Sequence, residues 1–297
     1  MATFAKVSKK SPQGLTQVAS SLHGGTPNLN MKDWYQTTTQ KLIEKASGKN
    51  VRKRNTKKAQ QEAKERSSLL STSSDKKGVK FSGGAFQADY FSSKFQRRGT
   101  LLYSIISDLN YKFTGTGGKP NANQDQVLRV ASFGGGPGTD IAGITWGQRT
   151  IYKDTRFACT LYDYEKTWKR YISTLAKSFE EVSGSNVSIE FQPCDVTKGL
   201  VDNSNRKIER VEDFDICLFF YVCHETSNAA KKGKLMFYRD LCSRLKPGCV
   251  VILADVKGKS KEDLQLVYST LKGPRKVNEF RLRKKPNAEV VVFSYQR

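Results

Sequence analysis

Residues 132–143 read SFGGGPGTDIAG, with four glycines and one proline packed into positions 134–138. Glycine reaches backbone conformations closed to other residues and carries no Cβ, so such a loop turns sharply and lets its backbone press against a ligand. The apolar run VLRVASF leads into it and IAGITWGQ follows. That places the loop between a strand and a helix amino terminus, whose free N–H groups favour polar or anionic ligands. The spacing is Gly134-x-Gly136-x-Gly138. A dinucleotide fingerprint requires a further glycine at position 139, which is Thr139, and Pro137 removes an N–H that a pyrophosphate would use. Two carboxylates stand just past later strand-like runs, Asp163 in LYDYE and Asp195 in PCDV. A carboxylate can accept from both hydroxyls of a vicinal diol. Asp163 also suits the cap of a helix over YEKTWKRY, and Asp195 before Val-Thr also suits a turn. His224 and Glu225 follow another apolar run; a histidine there either takes a proton from a substrate or packs. Cys223 beside them has the flanks of a packed residue.

Strand-like and helix-like segments alternate around these residues. VLRVASF, RFACTLY, VSIEFQP, FDICLFFYV, CVVILADV and EVVVFSY read as strands, and IAGITWGQ, KTWKRYISTLAKSFEEV and KLMFYRDLCSRL as helices. KPG stops the last helix. Such alternation predicts a doubly wound α/β sheet, mostly parallel, and continuous apolar runs such as ICLFFYV fit strands buried on both faces. Ligands of such sheets sit at the carboxyl ends of the strands. Upstream, Phe91, Phe95, Leu102, Ile105, Ile106 and Leu109 form a helical stripe that Gly99 is expected to break in two. Tyr90 and Phe91 suit either a lid over the site or the core.

The chain is strongly basic, with a net charge of +23. Residues 1–80 hold 17 Lys or Arg against 5 Asp or Glu and little apolar periodicity. This predicts a mostly disordered basic extension over 1–80, with helices favoured at DWYQTTTQKLIEKAS and NTKKAQQEAKERSSLL, and an ordered domain over 81–297. Within that domain residues 81–125 are read as helices covering the site and 126–297 as the core. The run KNVRKRNTKKAQQEAKER fits RNA or another polyanion, or a nuclear address. The acid-free start before Asp33 leaves organellar targeting open. No apolar run is long enough to span a membrane. Six cysteines show no paired metal spacing, which predicts no metal and free thiols in a reducing compartment, cytoplasmic or nuclear.

Over residues 85–297 the sequence resembles the class I S-adenosylmethionine-dependent methyltransferases. The resemblance implies that Gly134, Gly136 and Gly138 bind S-adenosyl-L-methionine, that Asp163 holds its ribose and Asp195 its adenine amino group. It implies that DICLFFYVCHET flanks the methyl group, with His224 and Glu225 as candidate catalytic residues. LKPGCVVILAD would form the fifth strand and EFRLRKKPNAEVVVFSY a closing antiparallel hairpin. One position departs from the family. An acidic residue commonly stands two places before the first glycine, and here that residue is Ser132. Its partner, the cofactor amino group, would turn to Asp140, which equally suits the cap of the following helix. Neither the NPPY motif of adenine and glutamine methylation nor the cysteine pair of cytosine methylation is present, so the methyl acceptor stays open, with RNA favoured over protein or a small molecule. A dinucleotide oxidoreductase, a non-catalytic module that binds cofactor and nucleic acid, and a small-molecule methyltransferase with a basic targeting tail are the rival readings.

Overall fold

The computed structural model describes residues 29–48, 81–113, 126–208, 210–232, 235–258 and 261–296, together with Gln61 and Glu65. Two helices open the described chain, α1 (Met31–Ser47) and α2 (Gly84–Phe113). Then follow β1 (Gln126–Phe133), α3 (Ile141–Thr150) and β2 (Thr155–Asp163). A 3-10 turn at Lys166–Tyr171 runs into α4 (Ile172–Ser183), and β3 (Val187–Pro193) and β4 (Ile216–Phe220) come next. The carboxyl-terminal third holds α5 (Cys223–Lys232), α6 (Met236–Arg244), β5 (Val250–Val256), α7 (Lys261–Lys272), β6 (Val277–Glu279) and β7 (Ala288–Tyr295).

The strands form one sheet in the order β3-β2-β1-β4-β5-β7-β6. Strands β1 to β5 are parallel, and β7 pairs antiparallel with both β5 and β6. The doubly wound sheet with a closing antiparallel hairpin therefore forms as expected. Strand order reverses between β1 and β4, which opens a crevice at their carboxyl ends.

Alternation along the central strands feeds two cores. In β4, Ile216, Leu218 and Phe220 face one layer while Cys217 and Phe219 face the other, and all five are buried. The first layer collects α1 to α4; the second collects α5, α6 and α7. Phe133 anchors the second, stacked on Tyr162 and on Phe219 with ring centroids 5.1 Å apart in each case.

Two sequence expectations are corrected here. Helix α2 is continuous through Gly99. A Cβ at Gly99 would lie 2.3 Å from the Tyr35 hydroxyl, and one at Gly143 in α3 would lie 2.5 Å from the Gly99 carbonyl oxygen. The glycine is thus a crossing point for helices on both sides of α2, and packing outweighs its low helix propensity. The second correction concerns the boundary at residue 80. The helix expected over DWYQTTTQKLIEKAS forms as part of α1 and belongs to the packed body. Trp34, Tyr35 and Leu42 are at most 2% exposed. Trp34 packs on Phe95, Trp146 and Phe179, and its indole N–H donates to the Ser178 carbonyl at 2.9 Å. The helix expected over NTKKAQQEAKERSSLL lies outside the described residues except for Gln61 and Glu65, which are helical and hydrogen-bonded at 2.9 Å. The glycine-rich stretch before β1 also lies outside them.

Trp34→Ala is expected to destabilise the chain by about 3–5 kcal/mol, because it removes a buried ring at the junction of four elements. Lys41→Ala breaks only an exposed ion pair to Glu181 and should cost under about 1 kcal/mol. Urea unfolding of the two variants would reverse this ranking if α1 were merely laid on the surface.

Candidate active site

The loop after β1 takes its shape from glycine backbone. Gly134, Gly136 and Gly138 have φ of 65°, 52° and 76°, the left-handed region that side chains disfavour. Their surroundings separate their roles. A Cβ at Gly134 would meet Val222 at 2.4 Å, and one at Gly138 would meet Leu161 at 3.0 Å and Ile189 at 3.2 Å. Those two glycines serve close packing against the β4 end and the sheet. A Cβ at Gly136 would touch nothing nearer than the Tyr90 hydroxyl at 3.6 Å, with the Trp168 indole nitrogen and an Asp163 carboxylate oxygen beyond it. Gly136 is thus the one of the three where a Cβ would meet its neighbours only at ordinary van der Waals distance, and it borders a larger space.

That space is a cavity of about 670 Å³ at the carboxyl ends of β1 to β4. Gly134, Gly136, Asp163, Asp195 and Glu225 line it; Gly138, Asp140 and His224 do not. Asp163 ends β2, and its two oxygens accept from the backbone N–H groups of Gly136 and Glu165, each at 2.8 Å. Glu165, rather than Asp163, caps the following turn by accepting from Thr167 N at 3.0 Å. Burial pushes the Asp163 carboxyl up to about 7 against the opposing pull of its two N–H donors, and the charges of Glu225 and Glu165 push the same way. Asp195 lies in a tight turn, where one carboxylate oxygen accepts from both the N–H and the hydroxyl of Thr197 at 3.0 and 2.6 Å. It meets the cavity within that turn.

Asp140 takes the capping role. It is 1% exposed, accepts from Ile141 N at 3.0 Å, and its other oxygen accepts from the Ser132 hydroxyl. Burial raises it to about 6. Ser132 and Asp140 thus satisfy each other behind the loop.

His224 sits at the start of α5, where its N–H donates to Asp255 at 2.9 Å and its ring Nδ1 lies against the other oxygen of that carboxylate. Asp255 is fully buried at the β5 end, so the pair ties α5 to the sheet. The next residue, Glu225, faces the cavity. Cys223 is fully buried, and burial holds its thiol well above the usual range, which suits packing rather than attack. No cluster of side chains among the described residues could hold a metal ion, and no described helix is long and apolar enough to cross a membrane.

Comparison with solved structures places this architecture. The crystal structure of the carbon methyltransferase CurJ aligns with 91% of this chain and 72% of its own, at 14% identity and a TM-score of 0.51. The carbon methyltransferase DszA aligns more loosely, over 89% and 69% at 12% identity and a TM-score of 0.44. So does a Listeria monocytogenes protein assigned to the class I S-adenosylmethionine-dependent methyltransferases, over 90% and 89% at 9% identity and 0.41. This is the class I methyltransferase fold. No protein-family model and no curated protein sequence matches the chain.

On the class I methyltransferase fold, the structure adds site residues beyond those expected from sequence. Tyr90 lines the cavity whereas its neighbour Phe91 is fully buried among Phe95, Trp168 and Tyr171, so the pair divides between site and core. Arg98 also lines the cavity while only 8% exposed. It falls on the same helical stripe as Phe91, Phe95 and Leu102, and a lone cation on an apolar stripe is the signal that points to it. Tyr221 leaves β4 at φ 60° and lays its ring 4.3 Å from the Arg98 guanidinium carbon. Asn205, fully buried, fixes the loop after β3 by accepting from Asp195 N at 2.7 Å and donating to three carbonyls.

The raised carboxyl of Asp163 sets a pH test of the ligand-free chain. An aspartate of folded value about 7 and ordinary value 3.8 keeps its proton in the fold after the unfolded chain has released it. Its contribution to stability therefore falls as pH rises from about 4 to about 7. Asp163→Asn removes the titration, so melting temperatures of variant and parent should shift in favour of the variant as pH rises from about 4 to about 7. A pH-independent difference would mean that Asp163 ionises like a surface carboxylate.

Proposed function

We propose that this chain is an S-adenosylmethionine-dependent methyltransferase. The observation that carries the reading is the cavity edge at Gly136, a positive-φ glycine whose N–H is bonded to Asp163 and which, with Asp163, lines the cavity. Backbone room and a diol-binding carboxylate meet there on adjacent strand ends. Gly134 and Gly136 would pass along the cofactor, Asp163 would accept from its ribose hydroxyls, and Asp195 would meet the adenine. When bound, S-adenosylmethionine supplies a methyl group on a sulfonium, which an acceptor lone pair takes in line as the C–S electron pair stays on sulfur. The protein then has little chemistry to do beyond alignment. Glu225, turned into the cavity on the first turn of α5, is placed to receive the acceptor's proton. His224, held by Asp255 outside the cavity lining, is assigned to positioning α5.

RNA is the acceptor class that the charge favours. Residues 1–80 hold 17 Lys or Arg against 5 Asp or Glu, and the run KNVRKRNTKKAQQEAKER falls between α1 and α2. A Cβ at Gly84 would lie 2.5 Å from the Ala46 carbonyl oxygen, and Phe81 lines the cavity. The described residues that flank the basic stretch, Ala46 and Gly84, therefore meet at one place, and Phe81 beside Gly84 lines the cavity. Contact with a polyanion there would be electrostatic and weakly selective.

S-adenosylmethionine or S-adenosylhomocysteine at a hundredfold its dissociation constant should stabilise the full chain by about 2.7 kcal/mol, and NAD should not. Gly136→Val should remain folded and lose the effect, since the new side chain enters the cavity. A shift with NAD alone would sink the assignment. Labelled methyl transfer into fractionated cell extract then decides the acceptor: label in protein or small molecules, with none in RNA, would overturn the RNA reading.

A further inference from the structure

Among the described residues Arg98, Lys198 and Lys232 are the cations that line the cavity, and they differ in how they are engaged. Arg98 lies against the rings of Tyr90 and Tyr221, donates to the Tyr90 hydroxyl and stands in the field of Glu225 and Asp140, although its buried Nε–H finds no partner among the described residues. Lys198 is held between Asp195 at 4.0 Å and Asp202 at 3.8 Å. Lys232 is exposed, and no carboxylate among the described residues lies within ion-pair distance of it. A lysine in the last turn of a helix can serve the helix dipole alone. Its neighbour Lys231 has a further partner on α7, pairing with Asp263 at 2.9 Å. Successive residues of a helix point about 100° apart, so Lys232 turns away from that contact to the cavity wall. It shares the wall with two other polar residues of α5. Glu225, Asn228 and Lys232 fall at the i, i+3, i+7 spacing of one helical face, and all three line the cavity.

We propose that this face of α5 recognises the methyl acceptor, and that the acceptor is a nucleotide whose phosphate is received by Lys232. The proposal rests on the methyltransferase and RNA readings above, and it gives the second of them a residue inside the cavity. In those readings the methyl group is delivered beside the β4 end, where Glu225 stands on the first turn of α5. Seven residues at 1.5 Å each put Lys232 about 10 Å farther along the helix. A nucleotide spans a comparable length from its base edge to its phosphate. Asn228 lies between the two, and its amide both donates and accepts, as a base edge does. Phe81, Tyr90 and Trp168 contribute rings to the same lining, a surface suited to a flat base. A neutral small molecule would use none of the charge that Lys232 brings to the cavity.

Calorimetric titration of the full chain tests this in two stages. S-adenosylhomocysteine is titrated first, and its failure to bind overturns the cofactor reading and this proposal together. With that ligand saturating, so that adenine compounds are kept out of the cofactor site, the 5′-monophosphates of adenosine, guanosine, cytidine and uridine are compared with the nucleosides themselves. At least one nucleotide should bind about tenfold more tightly than its nucleoside, the lower range of a charge-assisted bond. Lys232→Gln should erase that difference while leaving the nucleoside and S-adenosylhomocysteine affinities unchanged, and Lys232→Arg should preserve it. Lys231→Gln, which removes an equal charge one residue away, should leave the difference intact. If the loaded chain binds S-adenosylhomocysteine but no nucleotide, the proposal and the RNA reading fall and the cofactor reading stands. Nucleotides that bind no better than their nucleosides overturn the proposal. So does a preference that survives Lys232→Gln, which would give the phosphate to the basic stretch before α2. An equal loss in Lys231→Gln and Lys232→Gln overturns it as well, by showing a general effect of charge.

Discussion

The hydrogen bond from the Gly136 N–H to Asp163 joins the ends of two adjacent parallel strands, and the candidate site depends on it. A parallel pair needs no further link at its carboxyl end; the ladder between β1 and β2 is complete at Phe133 and Tyr162. The bond instead fixes where the loop stands above the sheet. Reaching it takes a left-handed backbone at Gly134 and Gly136, and leaves the carboxylate with an oxygen rim directed to the cavity side of the loop. The burial that raises Asp163 to about 7 is a consequence of the same closeness. A carboxylate so placed is poorly solvated, and hydroxyl donors from a ligand would complete its shell, which favours its ionised form.

The second constraint is the depth at which α2 is seated. Helix α2 supplies Tyr90 and Arg98, and its height over the loop is set where its glycines admit close neighbours. At Gly99 it touches Tyr35 of α1 on one side and Gly143 of α3 on the other, and at Gly84 it abuts the end of α1. Close packing of this kind tolerates no added methyl. Helix α1 contributes nothing to the cavity lining yet presses α2 inward through Trp34 and Tyr35. At the opposite end of α2, Asp108 is held by Arg283 and Lys285 of the segment between β6 and β7, which also keeps its carboxyl low. The arm that bears Arg98 is thus fixed from both ends.

Elements whose evidence is local were legible in the sequence. β4 and β5 read as strands because both faces are buried and, Asp255 apart, every position is apolar; the glycine loop read as a ligand turn because three residues share one rare backbone requirement. What was hidden depends on distant partners. Glu165 and Asp163 compete for one cap, and only the position of Gly136 decides that Asp163 turns to the loop. The helix that carries His224 was not expected, because its anchor, Asp255, lies on another strand. Helix α1 was expected as a helix but not as core, because its few apolar residues sit among Lys-rich flanks; its membership in the core rests on Trp34, Tyr35 and Leu42, all buried in the first layer. Gly99 read as a break because propensity was weighed without its neighbour Tyr35.

Ser132 and Arg98 belong to one electrostatic arrangement. An acid at position 132 would lie beside Asp140, already buried and raised to about 6, and two carboxylates in that volume would not both ionise. Serine removes the conflict by donating to Asp140, and no carboxylate among the described residues comes within ion-pair distance of Arg98, although the charges of Glu225 and Asp140 act on it. A buried cation can stand there only if something else shields it. The rings of Tyr90 and Tyr221 do so, because their faces attract a guanidinium without neutralising it. An ion pair with a protein carboxylate would have satisfied Arg98 equally well and closed its Nε–H to any ligand. Aromatic shielding keeps the charge in place and leaves that edge available, so the strained backbone that directs Tyr221 over Arg98 bears directly on what the cavity can bind.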